Sequence, residues 1–278
     1  MSDELLSDDE LLRYHRQINL AGVDIDGQER LKQARVLVIG VGGLGCAAAQ
    51  YLALAGVGQL TLVDHDVVES SNLQRQVLHR ESRIGDSKVC SAAAALAELN
   101  PLITVTPVAA KADEALLAQL LPQHDLLLDC SDNLACRQLL NRMAGRWRVP
   151  LVSAAAIRLE GQLALFRWQA DEPCYQCFSH HFSEPGASCV EAGVLAPIVG
   201  VLGSLQALEA LKLLLHLGEW PLGQLLLIDG LTGRFQPLRL QPWADCPVCA
   251  EVKAAMECTN SAGTSTNSAG TSTFLAKN

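Results

Sequence analysis

Residues 36–45, VLVIGVGGLG, constrain this chain more than any other stretch. A short, largely β-branched apolar run makes a strand buried on both faces, and the glycines after it allow a turn tight enough to enter a helix at once. Such a unit belongs in a parallel sheet, and the sequence supplies the neighbours. Apolar runs at residues 35–40, 59–64, 103–108, 125–129 and 150–153 alternate with Ala- and Leu-rich stretches at 44–55, 87–99, 113–120 and 133–146. The pattern predicts an α/β, Rossmann-like, doubly wound and mostly parallel sheet. Strand candidates at 162–168, 224–229 and 234–240 then continue the sheet in antiparallel fashion.

The long apolar stretch 196–217 has nearly the length of a membrane span, but Gln206, Glu209 and Lys212 interrupt it, each costly in lipid. It is expected to be a buried helix. With 49% hydrophobic and 18% charged residues, a chain of 278 can bury one large core. The expected organisation is a single unit over 1–250, with a nucleotide half to about 153 and a carrier-binding, metal-holding half from 154. Residues 259–265, TNSAGTS, recur unchanged at 266–272; so small and polar a repeat points to disorder over 251–278. The polar stretch 179–193 lacks periodicity and reads as a loop able to close over a site.

Charge narrows the partners. A net charge of -9 disfavours nucleic acid, whose phosphates require a basic face. The acidic opening MSDELLSDDELL lacks the form of a leader, so a cytoplasmic address is expected. Ten cysteines in a reducing compartment suggest metal rather than disulfides. Cys174 and Cys177, with Cys246 and Cys249, form two Cys-x-x-Cys pairs that can complete a closed, structural zinc site. Redox chemistry by either pair is the rival reading. Cys46, Cys90, Cys130 and Cys136 sit in apolar contexts and read as core residues.

The glycines Gly40, Gly42, Gly43 and Gly45 let backbone N–H groups meet a phosphate at a helix N-terminus, and Asp64, at the next strand's end, suits a ribose. These features alone fit a nicotinamide-dependent oxidoreductase as well as an ATP enzyme. Ser71, Asn72, Leu73, Gln74 and Arg75 tip the balance, because hydride transfer has no need of so polar a cluster. Adenylating a carboxylate brings two anions together and requires cations to screen them. Arg16, Arg75 and Lys88 are candidates; Asp132 is placed to hold magnesium against ATP, and Asn133 to bond the nucleotide.

In order along the chain, LLRYHRQINL, GVGGLG, SNLQRQ, LDCSDN, AAIRLEGQ, PCYQC, CVEAGV, GSLQALEALK and CPVC give a sequence that resembles the MoeB/ThiF family of ubiquitin-activating-like enzymes from about Leu6 to Ala250. The resemblance implies ATP- and magnesium-dependent adenylation of the C-terminal Gly-Gly carboxylate of a ubiquitin-like sulfur-carrier protein, MoaD-like, for molybdopterin synthesis. It implies nucleotide contacts from Gly43, Asp64, residues 71–75, Lys88, Asp132 and Asn133, and zinc on the four paired cysteines. It further implies a homodimer in which Arg16 reaches the neighbour's site, two carriers completing a heterotetramer. Cys189 matches a cysteine that bonds covalently to the carrier in ThiF-like members and is dispensable for adenylation in MoeB-like ones, so an attacking thiolate and an idle thiol both remain open. No rhodanese-like sequence follows Cys249, so a separate sulfur donor is expected. Activation of a ThiS-like carrier for thiamine synthesis, relatives acting on other carboxylates, and a non-enzymatic docking module are the alternatives.

Overall fold

A computed structural model describes residues 5–180 and 193–263, with side chains in the last helix as far as Glu257. One eight-stranded sheet runs in the order β3-β2-β1-β4-β5-β6-β7-β8. Its strands are β1 (Arg35–Ile39), β2 (Gln59–Val63), β3 (Thr104–Val108), β4 (Leu126–Asp129), β5 (Leu151–Ile157), β6 (Glu160–Phe166), β7 (Gln224–Asp229) and β8 (Arg234–Arg239). The first five pair in parallel, and β6, β7 and β8 follow antiparallel, as the patterning predicts. β5 runs past its expected end at Ser153, because Ala154–Ala156 are set by pairing with residues 161–163 rather than by their own propensity.

Helices cover both faces. On one lie α3 (Gly43–Leu54), α4 (Lys88–Leu99) and α8 (Ala196–Leu215), packed on Val36, Val38, Leu60, Leu62, Leu126 and Leu128. On the other lie α5 (Glu114–Leu120), α6 (Leu134–Trp147), the short α7 (Tyr175–Ser179) and α9 (Pro247–Gly263), against Leu37, Ile39, Leu127, Leu151 and Phe166. Successive residues of β1 therefore feed opposite cores, which explains an apolar run without alternation. α8 is the one described helix long and apolar enough to cross a membrane. It is instead laid along α3 and the sheet: Gln206, fully buried, donates to the carbonyls of Asp129 and Val152, and Glu209 pairs with Lys212 at 2.7 Å.

Two N-terminal helices precede the sheet, α1 (Asp8–Ile18) and α2 (Asp24–Gln33). α1 opens with a reciprocal capping box between Ser7 and Glu10 and docks at the strands' amino ends. There Tyr14 accepts from Asn100 at 2.8 Å, and Gln17 donates to the Ala55 carbonyl.

The disorder expected over 251–278 is corrected for residues 251–263 alone, where α9 carries the chain helically to Gly263, into the first copy of the repeat; residues 264–278 lie outside the described residues. Val248 and Val252, one helical turn apart, are buried, and Val252 lies against α6 at Gly145. That packing anchors the first turns of the helix on α6. Both outer strands contain a proline, Pro107 in β3 and Pro237 in β8, where a missing N–H is tolerated.

Candidate active site

The strand order reverses between β1 and β4, since β1 leads leftward to β2 and β3 while β4 and β5 lie to its right. At such a switch point the loops leaving the carboxyl ends diverge and open a crevice. The loops after β1 and β4 meet here tightly. Gly40 has φ +90°, and a Cβ on it would stand 2.7 Å from the Cys130 carbonyl oxygen, so only glycine serves. Gly43 and Gly45 are packing glycines: their Cβ atoms would strike Val199 of α8 and the Gly40 carbonyl. Gly42 differs, having only the Gln76 amide nitrogen nearby, at 3.6 Å. It caps α3 without a side chain, so the first N–H groups of that helix lack a side-chain acceptor.

Asp64 braces this turn. One carboxylate oxygen accepts the Val41 N–H at 2.7 Å, the other the Asp66 N–H at 2.9 Å. Lys88, the first residue of α4 and 7% exposed, donates to Asp66 at 2.8 Å. Burial would raise the Asp66 carboxyl, but the bond to Lys88 and its charge outweigh it and hold the acid below its ordinary range. The polar segment after β2 curls back to the same place. Ser70–Asn72 form a single 3-10 turn, Asn72 is buried, and Arg75 donates to the Ser71 carbonyl at 3.1 Å. His79 meets the Val41 carbonyl at 3.1 Å and Ser91 at 3.0 Å, and burial lowers its pKa toward the neutral form. Two buried polar atoms on the segments after β2 find no partner among the described residues, Gln76 Oε1 and Ser87 Oγ. Such groups are rare without a ligand or water to satisfy them; the Gln76 oxygen accepts and the Ser87 hydroxyl can donate, so the crevice fits a polar molecule that offers both donors and acceptors.

Across the crevice Asp132 is exposed, with Asn133 Nδ2 3.3 Å from its carboxylate, while Asn133 Oδ1 caps α6 by accepting the Cys136 N–H at 2.9 Å. The turn that presents Asp132 hangs on buried Asp129, which accepts from the Ser131 amide and hydroxyl and from the Ser153 hydroxyl. An exposed carboxylate such as that of Asp132 offers the oxygen donor that a magnesium ion prefers.

Of the nucleotide residues expected from the sequence, the glycine turn, Asp64 and Lys88 are joined through the Val41 and Asp66 bonds; residues 71–75 lead to Gln76, which approaches Gly42, and Asp132 and Asn133 follow the 130–131 backbone that abuts Gly40. Arg16 does not. It is exposed on α1, whose contacts place it at the opposite, amino end of the sheet. Cys189 lies outside the described residues, as does most of the loop around it. Sequence reading missed Asp66 and His79, which sit within a few residues of the quoted motifs but whose importance comes from where the chain folds back; Gln76 was named only as the end of SNLQRQ, and Gln206 only as a break in an apolar stretch.

The paired cysteines come together as spacing predicts. Cys174 and Cys246 are 3.6 Å apart at sulfur, as are Cys177 and Cys249, and all four sulfurs lie within 4.8 Å of one another. Thiolates at about 2.3 Å from one zinc ion stand roughly 3.8 Å apart at the corners of a tetrahedron. A disulfide would need about 2.05 Å. Hydrogen bonding from Cys177 and Cys249, with burial, pushes the Cys174 thiol up, and a bound cation reverses that cost. The donor set therefore fits a closed metal site. Cys46 and Cys130 are core residues as expected, and burial pushes Cys46 up to about 12. Cys136 is only partly buried, and Cys90 is exposed, a correction: α4 turns Val89, Ala92 and Leu96 inward and leaves position 90 outside.

A family model described as the ThiF family matches residues 14–248. The chain belongs to the ThiF family. It is 54% identical over 246 residues to the molybdopterin-synthase adenylyltransferase of Salmonella typhimurium strain LT2, covering 88% of this chain and 99% of that protein. It is 46% identical to the adenylyltransferase and sulfurtransferase MOCS3 of Sus scrofa, covering 93% of this chain but 57% of that longer protein. Among solved structures, E. coli MccB superposes with a TM-score of 0.74 at 22% identity, over 89% of this chain and 74% of that one. PaaA superposes at 0.72 with 26% identity, over 86% and 76%. These likenesses account for the mixed sheet and its antiparallel extension.

Proposed function

We propose that this chain is an adenylyltransferase that uses ATP to activate the C-terminal Gly-Gly carboxylate of a MoaD-like sulfur carrier for molybdopterin synthesis. The observation that carries the reading is the meeting, at the β1/β4 switch point, of the open α3 N-terminus, the Asp66-bound Lys88 and the exposed Asp132 turn. The 54% identity to a molybdopterin-synthase adenylyltransferase along nearly its whole length supports it.

In the proposed reaction a carboxylate oxygen attacks the α-phosphorus, the α–β bridging bond breaks and pyrophosphate leaves. The α3 N–H groups and Lys88 receive the phosphates, Arg75 adds a second positive charge, and Asp64 takes the ribose. Asn72 and Asn133 supply further hydrogen bonds. Asp132 would hold a magnesium ion, which when bound would screen charge between the phosphates and the incoming carboxylate. Arg16, at the far end of its own sheet, acts on a neighbouring copy's site, so the active species is a homodimer carrying two carriers. Zinc on Cys174, Cys177, Cys246 and Cys249 fixes the chain beyond β6 to its later segment. Sulfur comes from a separate donor, residues 1–153 serve the nucleotide and 154–250 the carrier, and the enzyme works in the cytoplasm.

ATP-pyrophosphate exchange tests the reading, with MoaD-like and ThiS-like carriers, each with its last glycine intact or deleted. Exchange that requires an intact MoaD-like tail is expected. Exchange with the ThiS-like carrier alone moves the function to thiamine synthesis, and none with any Gly-Gly-ended carrier overturns it.

A further inference from the structure

Val41 stands in the middle of the glycine turn, between Gly40 and Gly42, and side chains hold both of its backbone polar groups. Its N–H donates to Asp64 at 2.7 Å, while its carbonyl oxygen lies 3.1 Å from His79 Nε2 and accepts the Cys46 thiol at 3.4 Å. A carbonyl only accepts, so His79 carries its proton on Nε2. Burial keeps the ring neutral, and its Nδ1 then accepts the Ser91 hydroxyl at 3.0 Å. Ser91 lies on α4, one turn after Lys88. The backbone N–H of His79 donates to the Gln76 carbonyl at 3.1 Å, at the end of the polar segment after β2. The ring, 4% exposed, thus ties the glycine turn both to α4 and to residues 71–76.

The Val41 carbonyl shares a peptide plane with the Gly42 N–H. In a trans peptide the two point in opposite directions, so an oxygen drawn back onto His79 turns the Gly42 N–H outward from the ring. Among the described residues that N–H has no acceptor. The plane rotates about the Val41 ψ and the Gly42 φ, and glycine imposes little restraint on the second. We propose that His79 is a positioning residue for the nucleotide: by gripping the Val41 carbonyl it fixes the Gly42 N–H in the orientation that donates to a phosphate oxygen. The inference deepens the proposed function and rests on it for the identity of the ligand, a nucleoside triphosphate. Ser91, holding the other ring nitrogen, keeps the imidazole from swinging and gives the glycine turn and Lys88 one fixed spacing. The Cys46 thiol, a weak donor, is no substitute for the ring N–H.

Two measurements on the full-length chain test this. The first is the tautomer of His79, read from the ring nitrogen shifts of the unaltered, histidine-labelled protein, so that no variant need fold. A proton on Nε2 is expected; a proton on Nδ1 overturns the grip. The second is MgATP affinity of the free chain for His79→Gln, His79→Asn and His79→Leu, with adenosine titrated beside it. The glutamine amide nitrogen stands as many bonds from the backbone as His79 Nε2, whereas that of asparagine matches Nδ1. His79→Gln is therefore expected to bind MgATP within about threefold of the parent, and His79→Asn and His79→Leu roughly tenfold more weakly, the effect of one phosphate hydrogen bond. Adenosine, which has no phosphate, should bind all four proteins alike. Parent-like MgATP binding by His79→Leu, an equal weakening by glutamine and asparagine, or a matching loss for adenosine overturns the role and leaves His79 a packing residue. A parent chain that binds no MgATP sinks the proposed function, and the tautomer then decides the grip by itself.

Discussion

Asp64→Asn separates a brace from a mere ribose contact. In the native carboxylate each oxygen accepts one backbone N–H, from Val41 at 2.7 Å and Asp66 at 2.9 Å, in a side chain only 9% exposed. Asparagine keeps the shape but leaves one carbonyl oxygen and sets an NH2 group against the other N–H. One charge-assisted bond is lost, worth about 1.5–3 kcal/mol, and the second drops to a neutral bond of about 1 kcal/mol. The expected loss of folding stability is about 2–3 kcal/mol, allowing for partial relaxation. It should appear in urea titrations followed by tryptophan fluorescence as a lower midpoint at constant slope. ATP affinity should fall as well, by roughly tenfold or more, since the α3 turn and the ribose position are lost together. An unchanged midpoint with weakened ATP binding would refute the bracing role and leave Asp64 as a ribose ligand alone.

Asp132→Ala should abolish ATP-pyrophosphate exchange while moving the unfolding midpoint little, because the side chain is exposed; near-normal exchange would remove Asp132 from the chemistry. Cys174→Ser should lower zinc per chain and lower the unfolding midpoint, and an unaltered zinc content would contradict the four-thiolate site. Asp66, held below its ordinary range chiefly against burial by Lys88, contributes stability that is full above about pH 4 and lost as the pH falls through its folded value. Asp66→Asn should therefore flatten the acid limb of the stability curve, and an identical limb would show the pair to be idle. Among the described thiols Cys90 should react first with iodoacetamide at neutral pH, and peptide mapping that finds Cys46 first would contradict its burial and its shift to about 12.

The sheet was legible because strands buried on both faces leave uninterrupted apolar runs, as in β1 and β4. α1 left a local sign, Ser7 with Glu10 three positions on, but its sequence is dominated by motif residues that draw the eye to chemistry rather than periodicity. α2 is harder to see: Gly27 sits in its middle, and its turns are largely polar. The helix through the start of the repeat was invisible because its stability lies in Val248 and Val252 meeting α6, a distant contact. At the site, Asp64, Lys88 and Asp132 could be named from their places at strand and helix ends. Asp66 could not, since it acquires its role from Lys88, and Gln76 was legible only as part of a polar motif, because its place beside Gly42 depends on how the chain folds back. Arg16 was legible as a residue type, but not its location, which required seeing where Tyr14 and Gln17 dock.

The prolines in the two outermost strands limit how other chains can join this one. A strand laid beside β3 or β8 meets a position with no N–H to offer, so no continuous ladder forms on either edge. Copies of the chain cannot polymerise by endless sheet extension, and crowding at high concentration carries less risk of fibrous association. A visiting protein with a sheet of its own meets a gap in either edge at Pro107 or Pro237, so side chains must carry more of the recognition than a backbone that every protein shares.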